Sequence, residues 1–244
     1  MNITPDTIIY GHIGPLAISA TLVFTWVVMA ILVIVSWAIT RNLSTQSTVS
    51  RGQLLLEIVL EGIRGQIRDM VDINPDRYLP FIGTLFLFIF TSNVLSIVPG
   101  FHAPTSSLST TTALALCVFA AVPVFGIMAQ GWRGYLKSYL QPTPLMLPFN
   151  LVGEITRTIS LSIRLFGNMM SGGMIAAVAL AIAPLFFPVL MNALGLLIGV
   201  IQSYIFSILA LVYIATATRA HEEQAAKNSA PISGTSKETQ HGKP

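Results

Sequence analysis

Long apolar runs dominate this sequence and leave few folds open to it. The run at 16–39, LAISATLVFTWVVMAILVIVSWAI, contains no charged residue. About 20 apolar residues in a helix cross the hydrocarbon core of a bilayer, which is roughly 30 Å thick. Only 9% of the 244 residues are charged, whereas a soluble domain usually carries about 25%. The sequence therefore predicts an all-α membrane protein with about five membrane-crossing helices.

Apolar runs and the polar stretches between them divide the chain into segments. Pro184 and Pro188 separate the last two apolar runs, which are predicted to form a long helical hairpin because proline ends or kinks a helix. The last residues are polar and low in aromatics, as in disordered segments. The predicted segments are an N-terminal segment at 1–15, a first span at 16–39, an interfacial helix at 52–72, a two-span hairpin at 79–129, a second long hairpin at 145–218 and a disordered tail at 219–244.

The segment at 52–72 is amphipathic, unlike the spans. At helical spacing it forms two adjacent stripes, which are a charged stripe of Glu57, Glu61, Arg64 and Arg68 and an apolar stripe of Leu56, Leu60, Ile63 and Ile67. A helix of this kind is typical of a membrane surface.

Basic residues predict the orientation. Outside the spans they fall between the first two spans, between the third and fourth, and after the last, and the segments 1–15, 99–109 and 184–188 contain none. Because Lys and Arg mark the cytoplasmic side, we expect the N-terminus outside and the C-terminus inside. The absence of a transit peptide favours a bacterial plasma membrane.

Polar residues in the fourth span lie on one helical face. They are Asn150, Glu154, Arg157, Arg164 and Asn168, with Leu161 filling the gap in the series. A polar face on an apolar helix is expected to point at protein or water.

Arg164 on this face has no acid within reach in its own chain. Glu154 is ten residues away, which is about 15 Å along a helix, and no Asp or Glu occurs at 155–221. An unpaired guanidinium at membrane depth costs at least about 2.5 kcal/mol. We expect a negative partner from another protein, a water-filled cavity, or both, while an arginine that reaches a lipid headgroup is the simpler alternative. For Arg157, an ion pair with Glu154 competes with a role in transport.

The motif RLFGN at 164–168 and the segment GVIQSYIFSILALVYIATA at 199–217 carry a family resemblance. Together with YLPFIGTLFLFIFTSNVLSIVPGF at 78–101 and PTSSLSTTTALAL at 104–116, they resemble the a subunit of F-type ATP synthases. The order and spacing agree from about residue 50 to 218. The chain also looks like the divergent second-copy ATPases of bacteria.

This resemblance implies a stator ion-channel subunit of a rotary ATP synthase. Two offset half-channels would admit protons, and Arg164 would face the ion-binding carboxylates of the c-subunit ring. The implied partners are that ring, b-type peripheral stalk subunits, the rest of the complex and the lipid bilayer, with no nucleic acid. No cofactor is implied, and the chain has no GxxxxGK[ST] loop for a nucleotide.

The resemblance also implies roles for other residues. Gln202 is expected to steady the Arg164 guanidinium by hydrogen bonding, and Asn168 to line an access path. Glu154 would serve the inner path, while Ser207 and Tyr213 share the last helix with Gln202 and are interpreted as pathway or packing residues. His102 is either an ion relay or, more simply, a surface histidine.

The outer half of the pathway departs from the family pattern. Where many relatives carry acids or a His/Glu pair, this chain has Gly173 and Gly195, and Ser107 stands where the outer loop often has an aspartate. Either hydroxyls such as Ser107 and Ser171 conduct protons with water, or the coupling ion is sodium, which hydroxyl and carbonyl oxygens can bind. A self-contained ion transporter is the remaining alternative, although such proteins commonly show repeats and the sequence has none.

Overall fold

Helices make up nearly all of the structure. The computed structural model describes residues 9–13, 16–41, 51–70, 75–98, 101–140, 146–182 and 187–229. Its helices are α1 (Ala20–Thr40), α2 (Arg51–Met70), α3 (Leu79–Leu95), α4 (Leu108–Leu140), α5 (Met146–Ile182) and α6 (Phe187–Ser229), and one-turn 3-10 helices lie at Pro75–Arg77 and Pro104–Ser106.

Four of these helices are long and apolar enough to cross a membrane. The spanning stretches are Ala20–Ala38, Leu108–Ala129, Pro148–Ala181 and Val189–Thr218, and α3 is a shorter apolar helix of 17 residues. The prediction of an all-α, multi-pass membrane protein is confirmed.

A short β-hairpin precedes α1 and was not predicted. Strand β1 (Ile9–Ile13) pairs antiparallel with β2 (Leu16–Ser19). The first residues assigned to the first span are therefore extended, and the helix begins at Ala20. Isoleucine, which recurs in both strands, is β-branched and fits a strand better than most residues.

Helix α4 is broken near its end at Gly131. This residue has φ 74° and ψ 161°, a conformation with positive φ that favours glycine. The chain bends back there, so that the Tyr135 ring lies close to Gly126: a Cβ atom added to Gly126 would be only 2.6 Å from that ring. The bend brings Tyr135 to the side of α5.

The core is built around α6, which packs against α3, α4 and α5. The largest fully buried side chains include Phe206 and Leu211 from α6, Leu161 and Leu165 from α5, and Ile89 from α3. Most other large apolar side chains of the spans are exposed, as expected of surfaces that face lipid or other subunits.

A buried polar contact fixes α3 against α6. Asn93 is 0% exposed, and its Nδ2 donates to the carbonyl of Gly199 at 2.8 Å while its Oδ1 accepts from Thr105 at 2.9 Å. A Cβ atom on Gly199 would lie 2.9 Å from the Asn93 Cβ. Only glycine therefore allows the two helices to approach this closely.

We expect Gly199→Ala to destabilise the protein. The added methyl group must displace Asn93 and break its two hydrogen bonds, and overpacking of this kind costs about 1–3 kcal/mol. Gly195→Ala, one turn earlier on α6, is the control because its Cβ would meet nothing within 4 Å. The check is thermal unfolding of the purified protein in detergent, and equal melting temperatures for the two variants would contradict the prediction.

Helix α2 is amphipathic as predicted, and its apolar side enters the core. Ile67 is fully buried, whereas Glu57, Glu61 and Arg68 are exposed. Residues 71 and 72 of the predicted interfacial segment lie outside the described residues.

Side chains of α2 also bind two other parts of the chain. Arg64 forms an ion pair with Asp76 at 2.7 Å, and Gln66 accepts a hydrogen bond from the Tyr204 hydroxyl at 3.0 Å. The second contact ties α2 to the middle of α6.

The last helix is longer than its apolar part. It continues to Ser229, so residues 219–229, which were assigned to a disordered tail, are helical. The stretch EEQAAK has high helix propensity, which explains the extension. The rest of the predicted tail, 230–244, lies outside the described residues, as does Pro184 between α5 and α6.

Candidate functional site

Part of the polar face of α5 lines a cavity of about 450 Å³ between α4, α5 and α6. We call it the Glu154 cavity. Its polar lining comes from Tyr135, Asn150, Glu154, Arg157, Thr158, Tyr213 and Thr216. The helical spacing predicted a shared face for the three α5 residues, and the cavity brings them together.

Arg157 and Tyr213 contact each other across this cavity. The guanidinium carbon of Arg157 lies 5.3 Å from the centre of the Tyr213 ring. Such a cation–π contact is worth about 0.5–2 kcal/mol, depending on its exposure to water. The structure places Arg157 over the Tyr213 ring of α6, and the two alternatives for this residue, a pair with Glu154 and a role in transport, both stay predictions.

Tyr135 reaches the Glu154 cavity from the segment after the break in α4. Burial, together with the nearby charge of Glu154, raises the pKa of Tyr135 to about 12. Its hydroxyl therefore stays neutral at physiological pH and can donate a hydrogen bond. The sequence pattern did not indicate this residue, since only the conformation of Gly131 brings it to the cavity.

Asn168 and Gln202 join α5 to α6. The Nδ2 of Asn168 donates to the Oε1 of Gln202 at 2.8 Å, and Gln202 is only 2% exposed. The Nε2 of Gln202 is buried and has no hydrogen-bond partner within the described part of the chain. Among the described residues no hydrogen bond joins Gln202 to Arg164; the Gln202 oxygen accepts from Asn168, which lies one turn further along α5.

Arg164 lies on α5 between the residues that line the Glu154 cavity and Asn168. Its side chain is exposed. Among the residues that the structure describes, none forms a hydrogen bond or an ion pair with it. A permanent cation is therefore available at the surface of a membrane-spanning helix.

Asn168 lines a second cavity, of about 720 Å³, between α5, α6 and the segment before α4. We call it the Asn168 cavity. Its polar lining residues are Ser96, His102, Ser106, Asn168 and Asn192. Gly173 and Gly195, the two positions that depart from the family pattern, both line it.

Three serines that were candidates for the pathway line neither cavity. Ser107 is fully buried and shares a hydrogen bond with Ser109, and Ser207 is buried and donates to the carbonyl of Ser203. Ser171 is exposed and bonds to the carbonyl of Asn168. The structure instead brings His102 and Asn192 to the Asn168 cavity, and neither had a periodicity signal that could separate it from surface residues.

The sequence also matches known proteins over most of its length. The profile of the family described as "ATP synthase A chain" matches residues 22–215. The chain is 58% identical to "ATP synthase subunit a 2" of Acaryochloris marina over 219 residues, which cover 90% of this chain and 94% of that protein. It is 57% identical to "ATP synthase subunit a 1" of Chlorobaculum parvum over 223 residues, 91% of this chain and 99% of that protein. The chain therefore belongs to the ATP synthase A chain family, the membrane-sector a subunits of ATP synthase.

Proposed function

We propose that this chain is the stator half of a rotary ion motor, in which Arg164 faces the ion-binding carboxylates of a c-subunit ring. The exposed guanidinium of Arg164, without an acceptor in the described part of the chain, carries this proposal. A cation on a membrane-spanning helix needs a counter-charge or water, and a carboxylate on a neighbouring subunit supplies the first.

The two cavities support a pathway of two offset halves. The Glu154 cavity ends on α5 at Leu161, and the Asn168 cavity begins at Asn168. Arg164 lies between them along the helix. A fixed positive charge at that point repels cations, so an ion cannot pass directly from one cavity to the other. It binds to a ring carboxylate from the first cavity and is released from the ring into the second.

The ring carboxylate completes the mechanism by ordinary electrostatics. A carboxylate that faces lipid is tolerated only when it has bound its ion, since burial disfavours the charged form. Next to Arg164 the charged form is stabilised, and the ion is released. Rotation past Arg164 therefore exchanges ions between the two cavities, and each unit charge moved through 100 mV supplies about 2.3 kcal/mol.

The orientation and the partners belong to the same proposal. The distribution of basic residues favours an outer N-terminus and a cytoplasmic C-terminus in a bacterial plasma membrane. The Asn168 cavity then opens outward and the Glu154 cavity inward. Besides the ring, b-type peripheral stalk subunits would hold the chain against rotation.

Sodium is the second candidate for the coupling ion. The Asn168 cavity is lined by hydroxyl and amide groups, with no carboxylate among the described residues that border it. Hydroxyl and carbonyl oxygens are suitable ligands for a hard cation. Protons remain the proposed ion, because water in a cavity of this size can conduct them without a fixed acid.

We expect coupled ion flux only when the chain is assembled with its ring. Liposomes that contain the purified chain alone should show no flux of protons or sodium above empty liposomes. Liposomes with the whole complex should pump on addition of ATP. Comparing ATP hydrolysis with and without sodium at fixed pH identifies the ion. Flux through the chain alone would contradict the motor and favour a self-contained transporter.

A further inference from the structure

His102 lines the Asn168 cavity and belongs to the segment before α4. Aromatic contacts hold its ring in place. Its ring centre lies 5.9 Å from that of Phe24 on α1, and Phe24 in turn packs edge-on against Phe101 at 4.9 Å. The side chain is exposed, so the imidazole is fixed by its neighbours while it remains accessible to water.

No other titratable side chain borders this cavity among the residues that the structure describes. The turn after α3 and the neighbouring stretches of α5 and α6 contribute serine, asparagine, glycine and apolar residues. Helix α1, which carries Phe24, has no titratable residue from Ala20 to Thr40. The nearest charge along α5 is Arg164, one turn before Asn168 and outside the cavity lining.

Imidazole suits proton collection better than the other groups of this lining. It is the side chain that ordinarily exchanges a proton close to neutral pH, whereas hydroxyls and amides do not titrate there. A cavity of about 720 Å³ that has polar groups in its lining has room for several water molecules. A chain of water can therefore connect His102 with Asn168.

We propose that His102 collects protons at the outer mouth of the Asn168 cavity and passes them to the water that leads toward Asn168. A hydronium ion outside gives its proton to the neutral imidazole, which leaves water and an imidazolium. The imidazolium then gives a proton to a cavity water, which regenerates the neutral ring and moves one positive charge inward. This inference rests on the proposed function, with the proton as the coupling ion and this cavity as its outer path.

Two variants of His102 separate proton collection from ring packing. His102→Phe keeps an aromatic ring against Phe24 but cannot bind a proton. His102→Glu restores a titratable group with a lower ordinary pKa. The control is His221→Gln, which removes an imidazole near the other end of α6. The measurement is the rate of ATP synthesis by the whole complex in proteoliposomes, at a constant driving force and with the pH of the lumen, to which the Asn168 cavity opens in this assay, varied from about 5.5 to 8.5.

We expect His102→Phe to match the wild type at the lowest lumenal pH, where hydronium is plentiful. Near pH 8 its rate should fall by about threefold or more, since removal of a positioned acid–base group slows proton transfer. His102→Glu should show the loss beginning at a lower pH than the wild type, and the control should show no change. A merely structural role would lower the rate of His102→Phe equally at every pH.

Parallel pH profiles for the wild type and His102→Phe would overturn the role of His102. So would synthesis that depends on a sodium gradient alone. Neither result contradicts the proposed role of Arg164, which is tested separately with the Arg164→Ala variant under the same conditions. Loss of coupling in Arg164→Ala together with parallel His102 profiles would leave the motor in place and remove only the proton-collecting residue.

Discussion

Replacing Arg164 with alanine is expected to abolish ion-driven ATP synthesis and ATP-driven ion pumping. A unit charge about 4 Å from a carboxylate contributes about 4 kcal/mol at the effective dielectric constant of a protein surface, which is a factor of about 1,000 in an equilibrium. Without that charge, the ring carboxylate keeps its ion when it passes the stator. We expect coupled synthesis to fall by about a hundredfold or more, measured in membranes that contain the whole complex.

The complex should still assemble in this variant. Arg164 is exposed and makes no hydrogen bond or ion pair within the part of the chain that the structure covers, so alanine breaks no polar contact among these residues. Arg68→Ala is the matched control, since Arg68 is also exposed but lies on α2, away from both cavities. Its coupled activity should stay near that of the wild type. If Arg164→Ala retained coupling with normal assembly, Arg164 would have no part in the mechanism.

The sequence predicted the membrane helices and the polar face of α5 because both depend on local periodicity. A span needs only a sufficiently long run of apolar residues. Asn150, Glu154 and Arg157 are four and three positions apart, so they share a face of a helix with 3.6 residues per turn. The structure places all three on one cavity. The unpaired state of Arg164 could also be predicted, because no acid occurs near it in the sequence.

Contacts between helices could not be predicted in the same way. Gln202 was expected to bind Arg164, but Asn168 lies one turn away and takes the same oxygen. Periodicity gives both residues the same face, so the choice depends on the separation and rotation of α5 and α6, which local spacing does not give. The break at Gly131 is a similar case, since a single glycine just after an apolar run is compatible with a continuous helix.

A fixed positive charge in the Asn168 cavity should block the outer path. Gly173 lines this cavity, and a Cβ atom added there would meet nothing within 4 Å. In Gly173→Arg the guanidinium cannot lose its proton. At about 6 Å it disfavours another cation by about 3 kcal/mol, which is roughly a hundredfold in occupancy. We expect coupled synthesis to fall by at least about tenfold, whether the ion is a proton or sodium.

Gly173→Gln is the control that separates charge from size. Glutamine is a polar, uncharged side chain that enters the same open space, so a path blocked by electrostatic repulsion should remain open in this variant. Equal losses in both variants would mean that bulk at Gly173 disturbs the ring contact or the packing of α5. Normal coupling in Gly173→Arg would mean that ions do not cross the Asn168 cavity at all. The pair of variants therefore tests the outer cavity independently of Arg164 and of the identity of the ion, because repulsion by a fixed cation acts on every monovalent cation that enters.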